Sequence, residues 1–80
     1  MHRLTVELAD LEGALLRLLG TAERRGWRAV NLSAVRGRDR MNVDLTLSGE
    51  GSVDLLQRQL GRLHEVFNVR RVATLVEVSA

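Results

Sequence analysis

The sequence predicts an α+β domain of the ferredoxin-like type, βαββαβ, in which two helices cover one face of a four-stranded antiparallel sheet. Two segments alternate with the period of a half-buried strand: Leu4, Val6 and Leu8 against Thr5 and Glu7, and Met41, Val43, Leu45 and Leu47 against Asn42, Asp44, Thr46 and Ser48. After each comes a segment whose apolar residues recur at three- and four-residue spacing, the period of an amphipathic helix.

The elements follow in order. Asp10 is placed to cap a helix running from Leu11 to about Arg25, with Leu11, Leu15, Leu18, Leu19 and Ala22 on its apolar face and Gly26 as its stop. Trp27 to Val35 is rich in β-branched and small residues without a helical stripe, and Arg36-Gly37-Arg38-Asp39-Arg40 reads as the connection of a hairpin. Gly49-Glu50-Gly51 then turns the chain. Ser52 caps a second helix, with Asp54 in its first turn and Val53, Leu56, Leu60 and Leu63 as its core stripe. Val66 to Val78 supplies the last strand, with a bulge expected near Arg70-Arg71 because Val69 and Val72 have opposite parity.

Eighty residues are expected to form one domain, 1–80, whose small core favours self-association. The isoelectric point of 11.0 reflects an all-arginine basic set rather than a large excess charge, since the formal net charge is only +2. Acidic residues are spread through both halves. Neither that balance nor the two central strands, which carry no aromatic residue to stack on bases, points to nucleic acid. The absence of cysteine removes thiol chemistry and thiolate metal sites. No apolar run has the length of about 18 residues that a membrane span needs, so the expected location is the cytoplasm.

No catalytic constellation is visible. His2 and His64, the only histidines, lack any metal-ligand spacing; His2 reads as a frayed terminus and His64 as a helix-end residue that complements the dipole. The best candidate site is Asp10-Leu11-Glu12-Gly13-Ala14-Leu15, where a glycine at a strand-to-helix turn leaves backbone N–H groups open and Asp10 adds a carboxylate, a pairing suited to the two ends of a free amino acid. The same residues also read as a plain helix cap with a turn glycine. Trp27 at the start of an edge strand fits either core packing or a subunit interface. Arg36, Arg38 and Arg40 fit a solvated turn or an anion grip.

Gly13-Ala14-Leu15, Arg25-Gly26-Trp27, Met41-Asn42-Val43-Asp44-Leu45-Thr46, Val53-Asp54-Leu55-Leu56, Gln59-Leu60, Leu63 and Val69-Arg70-Arg71-Val72 follow one another at the spacing of a known family. The chain resembles the ACT-domain small regulatory subunit of acetolactate synthase (acetohydroxyacid synthase), in its short single-domain form, over nearly its whole length. That resemblance implies a non-catalytic subunit without a cofactor of its own. It would activate a large catalytic subunit, which carries thiamine diphosphate and condenses pyruvate units in branched-chain amino-acid synthesis. It also implies a homodimer through edge strands, with Trp27, Ala29 and Asn31 at the interface, and a branched-chain amino acid bound between Asp10 to Leu15 of one copy and the start of the Trp27 strand of the other. Arg28 stands where valine-sensitive members carry a small amide that contacts the ligand; a cation there either fills the pocket or binds a carboxylate. A free-standing ACT dimer that senses an amino acid for another enzyme is the alternative.

Overall fold

The two alternating segments form the inner strands of one sheet. In the structure, a computed structural model that describes residues 1–72, the chain runs β1 (His2–Ala9), α1 (Ala14–Arg24), β2 (Arg28–Arg36), β3 (Arg40–Ser48), α2 (Val53–Gly61) and β4 (Val66–Val72). The strands are ordered β2-β3-β1-β4, each antiparallel to its neighbours, and both helices pack against the same apolar face. This is the ferredoxin-like βαββαβ fold that the sequence predicts. The expected reach of the last strand to Val78 lies outside the described residues.

Register explains the clarity of the central pattern. Leu4 faces Leu45, Val6 faces Val43 and Leu8 faces Met41, and residues opposite one another share a sheet face. With Leu47 they meet Ala14, Leu18 and Ala22 of α1 and Leu56 and Leu60 of α2 in one core. Each fully buried leucine or valine contributes about 1.5–3 kcal/mol.

The edge strands are less regular. In β2 the register shifts between Ala29 and Asn31, leaving Val30 as an extra, half-exposed residue. In β4 the bulge falls at Phe67, because Glu7 pairs with Asn68 and Leu8 with Val66; Arg70 and Arg71 stay in register with Thr5 and Leu4. The expected bulge at Arg70-Arg71 is therefore corrected. Arg71 shares the helix-covered face with Leu4, and there it forms an ion pair with Asp54 of α2. That pairing accounts for the odd parity of Val69 and Val72.

The helix ends separate into one cap that the sequence predicts and one that it does not. Ser52 caps α2 by accepting from the Leu55 N–H at 3.2 Å. α1 starts at Ala14 rather than Leu11, and its cap is Gly13, not Asp10. Its other end is closed by Gly26 at φ +87°, with Gly26 N–H on Glu23 O and Trp27 N–H on Ala22 O, both at 3.0 Å.

This closure turns Trp27 inward. The side chain is 3% exposed and its ring packs over Gly49, where a Cβ would stand 2.7 Å from two ring carbons. His2 meets the same ring edge to face, with centroids 5.6 Å apart. Trp27 is thus core and does not project from the edge, and His2 is an ordered strand residue opposite Leu47 rather than a frayed end. His64 lies beyond the end of α2.

Candidate functional site

The loop between β1 and α1 is built from its backbone outwards. Leu11 N–H returns to Ala9 O at 2.8 Å, and Ala14 N–H to Leu11 O at 3.1 Å. The turn from Leu11 to Ala14 places Gly13 at φ +79°, ψ −3°, the values of the third residue of a type II turn, which glycine adopts without the steric penalty of a side chain. Because Gly13 lies directly before α1, the first-turn N–H groups of Leu15 and Leu16 have no backbone acceptor among the described residues. They remain available at the positive end of the helix dipole.

Asp10, released from capping, turns to the end of β2. Arg36 Nε forms an ion pair with Asp10 Oδ2 at 3.0 Å, and Asp10 N–H donates to Asp39 O at 3.3 Å across the end of the hairpin. Between the loop, α1 and the end of β2 lies a cavity of about 390 Å³, within the range of small-molecule sites. Leu11, Leu15, Leu16 and Met41 form its apolar wall, while Asp10, Glu12, Gly13 and Arg36 supply its polar rim.

A second layer fixes this loop from below. Glu65, in the connection before β4, is 6% exposed, and its carboxylate pairs with the Arg17 guanidinium. Arg17 in turn donates to Glu12 O at 3.3 Å and lies against Gly13, while Glu65 O accepts from Ala9 N–H at 2.7 Å. Arg17, foremost, and the residue's own N–H hold the Glu65 carboxyl below the ordinary glutamate value, outweighing the burial that opposes ionisation. Glu65 therefore stays charged at neutral pH and clamps the loop from two directions.

Of the residues that the sequence nominates, the structure gathers Asp10, Leu11, Glu12, Gly13 and Leu15 at one cavity; Ala14 is buried at the helix start behind it. Arg28 is not among them. It opens β2 opposite Ser48, at the end of the strand remote from the loop, and Arg36 takes the place beside Asp10. Ala29 and Asn31 are exposed on the outer strand β2. Leu16 and Met41 are lining residues that sequence reasoning missed, and Arg36, read there only as a turn residue or anion grip of the hairpin, was not connected with this loop. The signal was present in the topology, since antiparallel order places the end of the β2–β3 hairpin beside the end of β1.

Arg40, at the start of β3, is engaged differently. It lies 3.6 Å from Glu7 and its guanidinium sits 4.0 Å above the Phe67 ring. No helix of the described residues is long and apolar enough to cross a membrane.

With this geometry defined, comparison with known proteins gives a consistent result. Among solved structures, the chain is similar to the ACT domain from GTP pyrophosphokinase of Chlorobium tepidum. Its crystal structure matches with a TM-score of 0.74 at 14% identity, over 89% of this chain and 95% of that one. The solution NMR structure of the same domain matches with a TM-score of 0.73 at 15% identity, over 99% and 92%. A protein from Bacteroides thetaiotaomicron matches with a TM-score of 0.65 at 16% identity, over 86% of this chain but only 44% of that one. At such identities the likeness concerns the fold. None of the curated proteins matches the chain. The family model of the ACT domain matches residues 10–69, from the glycine loop to the middle of β4. That span is well over half of the sequence, and the chain belongs to the ACT domain family.

Proposed function

We propose that the protein is a non-catalytic regulatory module that binds an apolar amino acid in the cavity over Gly13. The observation that carries this reading is the joint placement of Asp10 and Arg36, with Glu12 beside them, at the rim of a cavity whose wall is apolar. An α-carboxylate meets Arg36 and the free first-turn amides of α1, an α-ammonium meets Asp10, and an aliphatic side chain lies on Leu11, Leu15, Leu16 and Met41. The two rim charges satisfy one another when the site is empty and each acquires an opposite partner when a zwitterion enters, so binding leaves no buried charge unpaired.

The target we assign to this module is the large, thiamine-dependent subunit of acetolactate synthase, on the strength of the residue runs Arg25-Gly26-Trp27 and Met41 to Thr46. A branched-chain amino acid is then the effector. Pairing of two copies through the exposed edge β2 is part of the same proposal: an antiparallel pairing carries the partner's Arg28 towards the loop end of the first copy. Regulation follows if the module binds the competent state of its target more tightly than the incompetent one.

The test is acetolactate formation by the large subunit of the same genome, with and without this chain, followed by titration with valine, leucine and isoleucine. Stimulation by the chain, reversed or modulated by one of the three, supports both parts. Two folded proteins that neither associate nor alter each other's activity overturn the choice of target and leave an amino-acid sensor for another enzyme.

A further inference from the structure

The opposite end of the molecule holds a second cavity, of about 180 Å³, lined by Arg25, Trp27, Gly51, Ser52, Leu55, Leu56 and Gln59. It is separate from the loop site in every residue. We propose that it is an oxyanion site, sized for a phosphate or a carboxylate group, with the indole N–H of Trp27 as its central donor.

Four observations converge on that chemistry. Trp27 is 97% removed from solvent by its 3% exposure, yet its Nε1–H finds no acceptor among the described residues. An indole N–H can only donate, and leaving a buried donor without a partner is unfavourable, so the position calls for an acceptor. The Nε1 edge of the ring faces Gly51, where a Cβ would lie 3.8 Å from Nε1 and 4.0 Å from Cζ2, and Gly51 lines the cavity. The unpartnered donor is therefore directed at this space and not into the core.

The remaining polar lining has the same sign. Arg25 has no carboxylate within ion-pair distance among the described residues. Ser52 Oγ accepts from Leu55 N–H, which leaves its hydroxyl proton to donate. Gly51 and Ser52 lead into the amino-terminal end of α2, whose dipole favours an anion. Of the carboxylates nearby, Asp54 in the first turn of α2 is paired with Arg71, while Glu50, exposed just before Gly51, is not among the lining residues. The end carbonyls of α1 at Thr21, Ala22 and Glu23 accept from Arg25, Trp27 and Gly26 N–H. Leu55, Leu56 and the indole face leave room only for a small anion or the charged end of a larger one.

Trp27 is the only tryptophan, so a uniformly 15N-labelled protein gives a single indole N–H signal that reports the site directly. The experiment titrates the full chain with inorganic phosphate and, separately, with sodium acetate, at ionic strength held constant with sodium chloride. The expected result is a saturable downfield movement of the indole proton with one of the two anions. Stronger response to phosphate assigns a phosphoryl ligand, and stronger response to acetate assigns a carboxylate. Arg25→Gln should weaken the apparent affinity about tenfold, the factor of one charge-assisted hydrogen bond. Gly51→Val should abolish the response by filling the space before Nε1; the remaining amide signals establish that both variants are folded. An indole signal that does not move with either anion overturns the proposal, as does a response that is non-saturable or identical in Arg25→Gln.

Discussion

Arg36 at the end of β2 lies 3.0 Å from Asp10 in the loop after β1, the two joined across the rim of an apolar cavity. The Arg36 side chain is 71% exposed, so the pair contributes at most about 1 kcal/mol to stability. In the proposed function its role is recognition. Arg36→Gln should leave the unfolding free energy from urea denaturation within about 1 kcal/mol of the parent while weakening amino-acid binding at least about tenfold, as loss of a charge-assisted contact requires. Equal loss of stability and affinity would instead make Arg36 a structural residue.

Gly13 has a different kind of sensitivity. Its φ of +79° costs an L-residue about 1–2 kcal/mol, and an added Cβ would also press on Arg17 Nη1 at 3.0 Å, the flexible end of a side chain that can yield. Gly13→Ala should therefore lower stability by about 1–2 kcal/mol in equilibrium denaturation. Gly13→Asn should cost less, because asparagine tolerates this region.

Gly49 has no unusual φ, yet its replacement should be worse tolerated on packing grounds. A Cβ there stands 2.7 Å from two atoms of the Trp27 ring, which is wedged between His2 and the sheet end. Gly49→Ala should destabilise by about 1–3 kcal/mol through overpacking, with a shifted Trp27 emission spectrum. Unchanged stability and emission would show that the ring has room to move.

Glu65 predicts a pH dependence. Its folded pKa lies below the ordinary 4.5, so its pairing with Arg17 stabilises the fold fully above the unfolded pKa. That contribution is lost as the pH falls through the lower, folded value. Glu65→Gln should be less stable than the parent at pH 7, and the gap should close as both are acidified below the ordinary glutamate range. A gap that is constant with pH would assign the effect to packing alone.

The legible part of the fold is the part with one covered face. β1 and β3 alternate strictly because both are central and dry on one side only, and the Ser52 cap is readable because its partner lies three residues away. The loop was half legible: its residues were evident, but Asp10 looked like a cap because its true partner, Arg36, is remote in sequence. Glu65 gave no signal at all, since a carboxylate buried against an arginine of another element has the same appearance as a solvated one. β4 was misread at Arg71 for a similar reason, an ion pair to α2 occupying a position that parity reserves for an apolar residue.

The central claim is that the cavity over Gly13 holds an apolar amino acid between Asp10 and Arg36. Isothermal titration of the chain with leucine, isoleucine and valine tests it most directly, with Asp10→Ala and Arg36→Gln as controls. Saturable binding of at least one of the three, lost in both folded variants, is the predicted result. No heat of binding for any of them, or binding that survives both substitutions, would contradict it.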